Sequence, residues 1–334
     1  MGDKEKGFSL RFRYFTIFLL CVLLTGTATA QAASEDFKAW LKDLRAEAIS
    51  DGISRPVVYS ALPDTMEPIE HVLKLDRAQP EGTTTYDGYI RKTVTSDRVE
   101  KGRAKMLGYN TLLNNVQKYY GVDKQFIVAL WGIETSYGNN MGGYDVVTAL
   151  ATLAYDGRRG DYFRGELFKA LKILDEGHIR QSGMKGSWAG AMGQSQFMPS
   201  SFFKFAVDFD KDGRRDIWNS EADVFASAAN YLSLSGWKLG APWGRRVKVP
   251  LTLDSRYMGV DNNYSLQFWH DKGVRLMTGQ SVPFEGEYMA SIIQPGGPGT
   301  TAYLVYDNYK TILKWNKSSY FATAVCVLAD SIRR

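Results

Sequence analysis

Only two cysteines and three histidines occur among the 334 residues, and that scarcity removes several chemistries at once. His71, His178 and His270 stand far apart in the chain and no H-E-x-x-H pair is present, so a helix-borne zinc protease site is excluded. Gly193-Gln194-Ser195-Gln196 lacks the second glycine of a nucleophile elbow. There is no phosphate loop, no dinucleotide fingerprint, no internal repeat and no low-complexity tract. Basic residues exceed acidic ones by little (41 against 36, net +5) and form no block, which leaves no footprint for nucleic acid. The apolar run Tyr14–Leu24 is too short for a comfortable membrane span.

That run has another reading. Lys4, Lys6, Arg11 and Arg13 precede or open it, and Ala28-Thr29-Ala30 follows, with Ala30-Gln31-Ala32 as a close rival. A positive region, a short apolar stretch and an A-x-A site predict a secretory signal peptide over residues 1–30. Cys21 follows Leu19-Leu20, not the small residue of a lipoprotein signal. The expectation is a soluble periplasmic protein with no stable membrane anchor after cleavage. Cleavage after Ala30 would remove Cys21 with four basic and two acidic residues, taking the net charge to +3. Cys326 would then stand alone, which forbids an intramolecular disulfide; a core of this size does not need one. The mild positive charge suits an anionic polymer.

The remaining chain predicts three regions: a helical one over 31–120, punctuated by Pro63, Pro68 and Pro80; a helical core over 121–240; and a small β region with a closing helix over 241–334. Val247–Leu253, Val274–Met277 and Tyr303–Val305 read as short strands between Gly/Pro turns. Lys310–Lys314 reads as a further strand or short helix, and Phe321–Ile332 as the last helix. The fold class is therefore mainly α with a small β part (α+β).

One helix carries the chemistry. Apolar spacing predicts it over Lys124–Tyr137, with Asp123 as N-cap and Gly138 as stop. Ile127, Leu130, Trp131 and Glu134 fall at i, i+3, i+4 and i+7 and share one face. Glu134 thus occupies an apolar position. A carboxyl held there resists ionisation, and one kept protonated near neutrality serves as a general acid. An acid at the edge of an apolar stripe is also a commonplace pattern of a side chain reaching water.

Ser187–Ser201 (S-W-A-G-A-M-G-Q-S-Q-F-M-P-S-S) has no regular period. Gly190 and Gly193 predict close backbone approach. Ser187, Gln194 and Gln196 offer neutral hydrogen bonds suited to hydroxyl and acetamido groups. A tight loop against the core is the alternative, ended by Pro199 with Ser200 or Ser201 capping the next helix.

Taken together, W-G-I-E-T-x-Y-G followed by S-W-A-G-A-M-G-x-x-Q-F-M-P-S resembles the lytic murein transglycosylase B family of bacterial cell-wall enzymes. Leu75–Glu81, Asp208–Trp218, Ala226–Leu232 and Trp315–Tyr320 extend the resemblance in order through nearly the whole chain. It implies a lysozyme-like catalytic core with helical and small β additions, and Glu134 as sole catalytic acid. The N-acetyl group and then the 6-hydroxyl of the sugar would supply what a second carboxylate supplies elsewhere. The product would be a 1,6-anhydromuramyl end. The implied partner is the peptidoglycan glycan strand, with cell-wall synthesis or division proteins as further candidates. Asp145, Asp156 and Asp161 stand as alternative second carboxylates, each also readable as a cap or turn residue.

By the same resemblance Gln196 is a glycan contact near the acid, and Ser187 bonds the acid or the sugar. Tyr231 lines the cleft or simply packs in the core, and Asn316 is an amide on the far side of the cleft. Trp315 stands where the family often has Tyr; the indole can stack on a sugar but lacks the hydroxyl, which argues against a direct hydrogen bond from this position. Arg158, Arg159 and Tyr162 resemble a patch that could meet lactyl or peptide carboxylates.

Asp208-x-Asp210-x-Asp212-Gly213 matches the start of an EF-hand calcium loop. Its twelfth position is Asn219, not Glu, so Glu221 or Asp223 would have to close the coordination. Asp216 and the Arg214 carbonyl are further candidate ligands. The expected ion is one structural Ca2+, since the family has a similar site; catalysis needs no cofactor. The competing functions are a hydrolytic muramidase of the same fold and a non-enzymatic peptidoglycan-binding protein.

Overall fold

The computed structural model describes residues 35–78, 84–283 and 288–333. The expected signal peptide, Cys21 and Pro80 lie outside them. Among the described residues no helix is long and apolar enough to cross a membrane.

Helices dominate, and three apolar clusters hold them. The first joins residues 35–50, Arg55–Ala61 and Glu70–Arg77 to Val146–Asp156, Gly160–Asp175 and Pro199–Phe205. The second surrounds the Lys124–Thr135 helix with Ser96–Gly108, Glu221–Leu234, Asp307–Trp315 and Ser319–Arg333. The third lies under the sheet around Trp269, Ile292 and Leu304. Each of the first two clusters interleaves segments far apart in sequence.

The Lys124–Thr135 helix is buried on nearly every side from Phe126 to Gly132, as a helix apolar all round must be. Its expected N-cap does not cap: the Asp123 carboxylate accepts from Trp237 Nε1 and the Gly240 N–H, and Gln117 Oε1 takes the Lys124 N–H. The helix stops at Thr135, before the predicted Tyr137. Ser136, Tyr137 and Gly138 all adopt positive φ (50°, 62° and 83°). The Tyr137 ring folds back onto Gly132, where a Cβ would lie 2.6 Å from it, and its hydroxyl donates to the Arg98 carbonyl at 2.6 Å. The missing Cβ at Gly132 lets this left-handed turn close.

Among the described residues seven short strands form two sheets. Strands β1 (Tyr144–Asp145) and β2 (Lys185–Gly186) pair with each other. The others are β3 (Gly244–Lys248), β4 (Tyr264–Ser265), β5 (Arg275–Leu276), β6 (Met289–Ile293) and β7 (Ala302–Val305). They form an antiparallel sheet in the order β4-β6-β7-β3-β5, with Arg246 opposite Tyr303 and Ile292 opposite Leu304. Strand β3 begins and ends before the predicted Val247–Leu253 segment does, because Pro250 has no N–H for a ladder. Lys310–Lys314 falls inside the Asp307–Trp315 helix. That helix follows β7 almost directly, so the β region aims Trp315 at the helical core.

Candidate active site

Glu134 sits one residue before the end of its helix. Ile127, Leu130 and Trp131 line a small pocket with it, as their spacing predicts. Val224, Phe225, Ala228, Gln194, Ser195 and Trp315 complete its lining. Glu134 itself stays partly exposed, so it faces both an apolar wall and the outside. Desolvation by the wall raises its pKa from 4.5 to about 7, and the Trp315 N–H pulls in the opposite direction. That bond, Nε1 to Glu134 Oε1, measures 2.7 Å. The expectation that Trp315 forms no direct hydrogen bond is corrected in part: the indole nitrogen bonds the acid of the protein itself. The ring is held by Phe197 and Tyr231, with centroids 5.3 and 4.7 Å away.

No other carboxylate lines this pocket among the described residues. Asp145 accepts from the Thr148 N–H and hydroxyl as an N-cap, Asp156 pairs with Arg77 at 2.5 Å, and Asp161 lies in the first turn of the Gly160–Asp175 helix.

Residues 187–201 form a compact loop. Gly193 rests on the Ile217 carbonyl, 2.6 Å from where a Cβ would be, and Gly190 on Leu150. The close approach predicted from these glycines is to the protein's own core. Pro199 opens the Pro199–Phe205 helix, and Glu166, not Ser200 or Ser201, accepts the Ser200 N–H at 2.8 Å. Gln194 differs from its expected role as a glycan contact: it is 5% exposed and bonded wholly within the protein. Gln196, at φ 49°, donates its Nε2 to the Met141 and Gly193 carbonyls. Ser187 Oγ accepts the Ala191 N–H; among the described residues it makes no bond to Glu134.

Tyr231 packs as its core reading expects, and it is not among the residues that line the Glu134 pocket. Its ring lies between Phe205 and Trp315 while its hydroxyl donates to the Lys314 carbonyl. Asn316 is exposed beside Trp315, and its Oδ1 accepts the Ser318 N–H. Arg158 and Arg159 are engaged elsewhere. Both bind the carboxylate of Asp76, which is 3% exposed, at 2.5 Å. Burial raises the Asp76 pKa, but the hydrogen bonds from Arg158 and Arg159 outweigh it and the net shift is downward. Tyr162 is exposed, with an edge contact to Phe163. These three line a separate recess with Trp40 and Arg164 and do not reach the Glu134 pocket. Asp76 is the partner that the sequence did not flag.

The acid loop gathers as its spacing predicts. Carboxylate oxygens of Asp208, Asp210 and Asp212 lie within 4.8 Å of one another. Gly213, at φ 92°, makes the turn. Asp212 also pairs with the Arg214 guanidinium at 3.3 Å. Asp223 stands outside that cluster. Fully buried, it accepts the Phe209 and Asp216 N–H groups, each at 2.7 Å, and so staples the two ends of the loop. Desolvation raises its pKa to about 6 against these bonds. Its carboxylate is occupied by the backbone, which corrects its expected place among the ligands. Asn219 binds Asp216 instead of facing the cluster.

Residues 36–330 match the Transglycosylase SLT domain family. The membrane-bound lytic murein transglycosylase B of Escherichia coli is 32% identical over 246 residues; the match spans 73% of this chain and 66% of that protein, just under two thirds of its length. The crystal structure of SltB3 from Pseudomonas aeruginosa in complex with NAG-anhNAM-pentapeptide superposes with a TM-score of 0.86 at 41% identity, covering 89% of this chain and 79% of that one. The Escherichia coli lytic transglycosylase SLT35 in complex with calcium gives 0.76 at 29%, covering 88% and 92%. The match over residues 36–330, with these relatives, shows the family: the chain belongs to the Transglycosylase SLT domain family, of the lytic murein transglycosylase B type.

Proposed function

We propose that the protein cleaves the β-1,4 bond between N-acetylmuramic acid and N-acetylglucosamine in peptidoglycan without consuming water. The observation that carries this is the solitary Glu134 carboxyl with a pKa near 7. A group that must first give a proton and then take one works best near that value. Glu134 protonates the glycosidic oxygen as the C1–O bond breaks, and the leaving sugar departs with a hydroxyl. The muramyl N-acetyl oxygen supports the electron-poor C1. The 6-hydroxyl oxygen then bonds to C1 and its proton passes to the Glu134 carboxylate. The product is a 1,6-anhydromuramyl end and the enzyme is restored. Both standard hydrolytic routes need a second carboxylate, and among the described residues none lines the pocket.

Trp315 fixes one carboxyl oxygen. Gln196, Ser187, Tyr231 and Asn316 are the proposed glycan contacts; Asn316 is exposed beside Trp315. Arg158, Arg159 and Tyr162 are proposed to meet stem-peptide carboxylates only at the outer recess. Asp208, Asp210 and Asp212, with the Arg214 carbonyl, are proposed to hold one structural calcium; a complex of SLT35 with calcium supports this. Asp223 then shapes the loop from behind. A peptidoglycan substrate implies the periplasm, consistent with the signal read at residues 1–30.

The experiment is mass spectrometry of soluble products from purified sacculi. Anhydromuropeptides are expected, and Glu134→Gln should release none. Products carrying an added water would mean a muramidase; no products would leave a binding protein.

A further inference from the structure

We propose that Gln194 is a positioning residue that holds the catalytic end of the Lys124–Thr135 helix, and through it the Glu134 carboxyl. This rests on Glu134 being the acid–base group. Three consecutive residues of left-handed backbone follow Thr135, so the last turn of this helix has no regular continuation to stiffen it. Something else must fix a carboxyl whose reacting oxygen has to be placed to within fractions of an ångström.

Gln194 grips that turn on both sides of Glu134. Its Oε1 accepts from Trp131 Nε1 at 2.7 Å, three residues before the acid. Its backbone carbonyl accepts from Thr135 Oγ1 at 3.1 Å, the residue after it. The turn beyond lies directly on the amide: a Cβ at Gly138 would be 2.4 Å from Gln194 Oε1. Gln194 is in turn fixed from behind. Its N–H donates to the Ile217 carbonyl at 2.8 Å and its Nε2 to the Trp218 carbonyl at 2.9 Å. All four of its polar groups are therefore used, two toward the catalytic helix and two toward the segment that follows the acid loop. An amide suits this place because it accepts and donates at once. A hydrocarbon of the same size would leave an indole N–H and a carbonyl buried without partners.

A merely structural amide would affect stability alone. A positioning amide must change turnover in molecules that remain folded. The test uses the full mature protein and a defined soluble glycan-peptide oligomer prepared from sacculi. Gln194→Met should lower kcat by about 10- to 100-fold while KM stays within about twofold. The basic limb of kcat should move to lower pH as the loosened helix end admits water to Glu134. Gln194→Glu supplies a graded rescue. When protonated, its carboxyl can accept from Trp131 and donate to Trp218, so its activity should approach wild type at the acidic end and collapse above it. Trp131→Phe removes the same bond from the other side, and its effect should not add to that of Gln194→Met. Arg45→Leu, a buried cation bonded to the Leu62 carbonyl in another part of the fold, should lower the melting temperature without changing kcat or the pH profile.

Unchanged kcat and pH profile in folded Gln194→Met, with Glu134→Gln inactive, would overturn the proposal and leave the assignment of Glu134 intact. Should Gln194→Met not fold, Trp131→Phe and Gln194→Glu decide by the same criteria. Activity in Glu134→Gln would remove the reading on which the proposal stands.

Discussion

Replacing Glu134 by Gln should make the protein more stable as well as inactive, and the gain should depend on pH in a fixed direction. The folded state raises the Glu134 pKa from 4.5 to about 7. Over that interval the folded protein holds a proton that the unfolded chain has released. Stability contributed by the neutral carboxyl is complete below pH 4.5 and drains away as pH rises through 7. At about 1.36 kcal/mol per pKa unit, the loss reaches roughly 3 kcal/mol above pH 8. A glutamine of the same shape never ionises. Its Oε1 can still accept from Trp315, and any cost of its extra N–H groups is the same at every pH. Urea unfolding of both proteins at pH 4, 6 and 8 measures the difference. The variant's advantage should grow between pH 4 and pH 8 by a few kcal/mol. A constant offset, or an advantage that shrinks as pH rises, would mean that the carboxyl is not desolvated in the folded protein, and the argument for a poised acid would fail with it.

Trp315→Phe keeps the ring but removes the donor to the Glu134 carboxylate. A hydrogen bond to a charged group contributes about 1.5–3 kcal/mol, so the basic limb of the pH–rate profile should rise by one to two units; a limb that stays put or falls would refute the role of the indole. Millimolar calcium should raise the melting temperature, and Asp210→Ala should abolish that shift while leaving the apo transition in place; scanning calorimetry with and without chelator reads both. Asp76→Ala releases the half-exposed Arg158 and Arg159 to water and should cost about 1–2 kcal/mol at neutral pH. The Asp76 pKa is lowered, so this contribution is present above the ordinary carboxylate range and fades as pH falls through the folded value. Equal loss at pH 3 and pH 7 would count against the ion pairs.

The Lys124–Thr135 helix was legible in the sequence because periodicity reports a shared face, and Ile127, Leu130, Trp131 and Glu134 do line one pocket. The acid loop was legible because alternate acids before a glycine curl back on themselves. What period and spacing do not carry was missed. Gln194 stands in an aperiodic loop, where nothing in the sequence says whether an amide faces solvent or core. Asp223 looked like a ligand by position, yet its depth of burial turned it to the backbone N–H groups of Phe209 and Asp216. Strand β6 was overlooked although four of its five residues are buried, since strands in this sheet are two to five residues long and owe their existence to neighbours distant in sequence.

Trp315 shows why such distant contacts decide the chemistry. It lies 181 residues from Glu134 and is delivered by a helix that the sheet launches. The apolar wall alone would hold the acid protonated to higher pH than it is with Trp315 in place, able to give a proton but reluctant to release it. A hydrogen bond to the ionised form alone, with no wall, would leave an ordinary carboxylate with no proton to give. One group that performs both steps needs the two influences opposed, and the opposition holds its pKa at about 7. If Glu134 is the acid proposed above, the β region is tied to the reaction through the Trp315 indole nitrogen, and a change that shifts the Asp307–Trp315 helix should tune the acid without touching it.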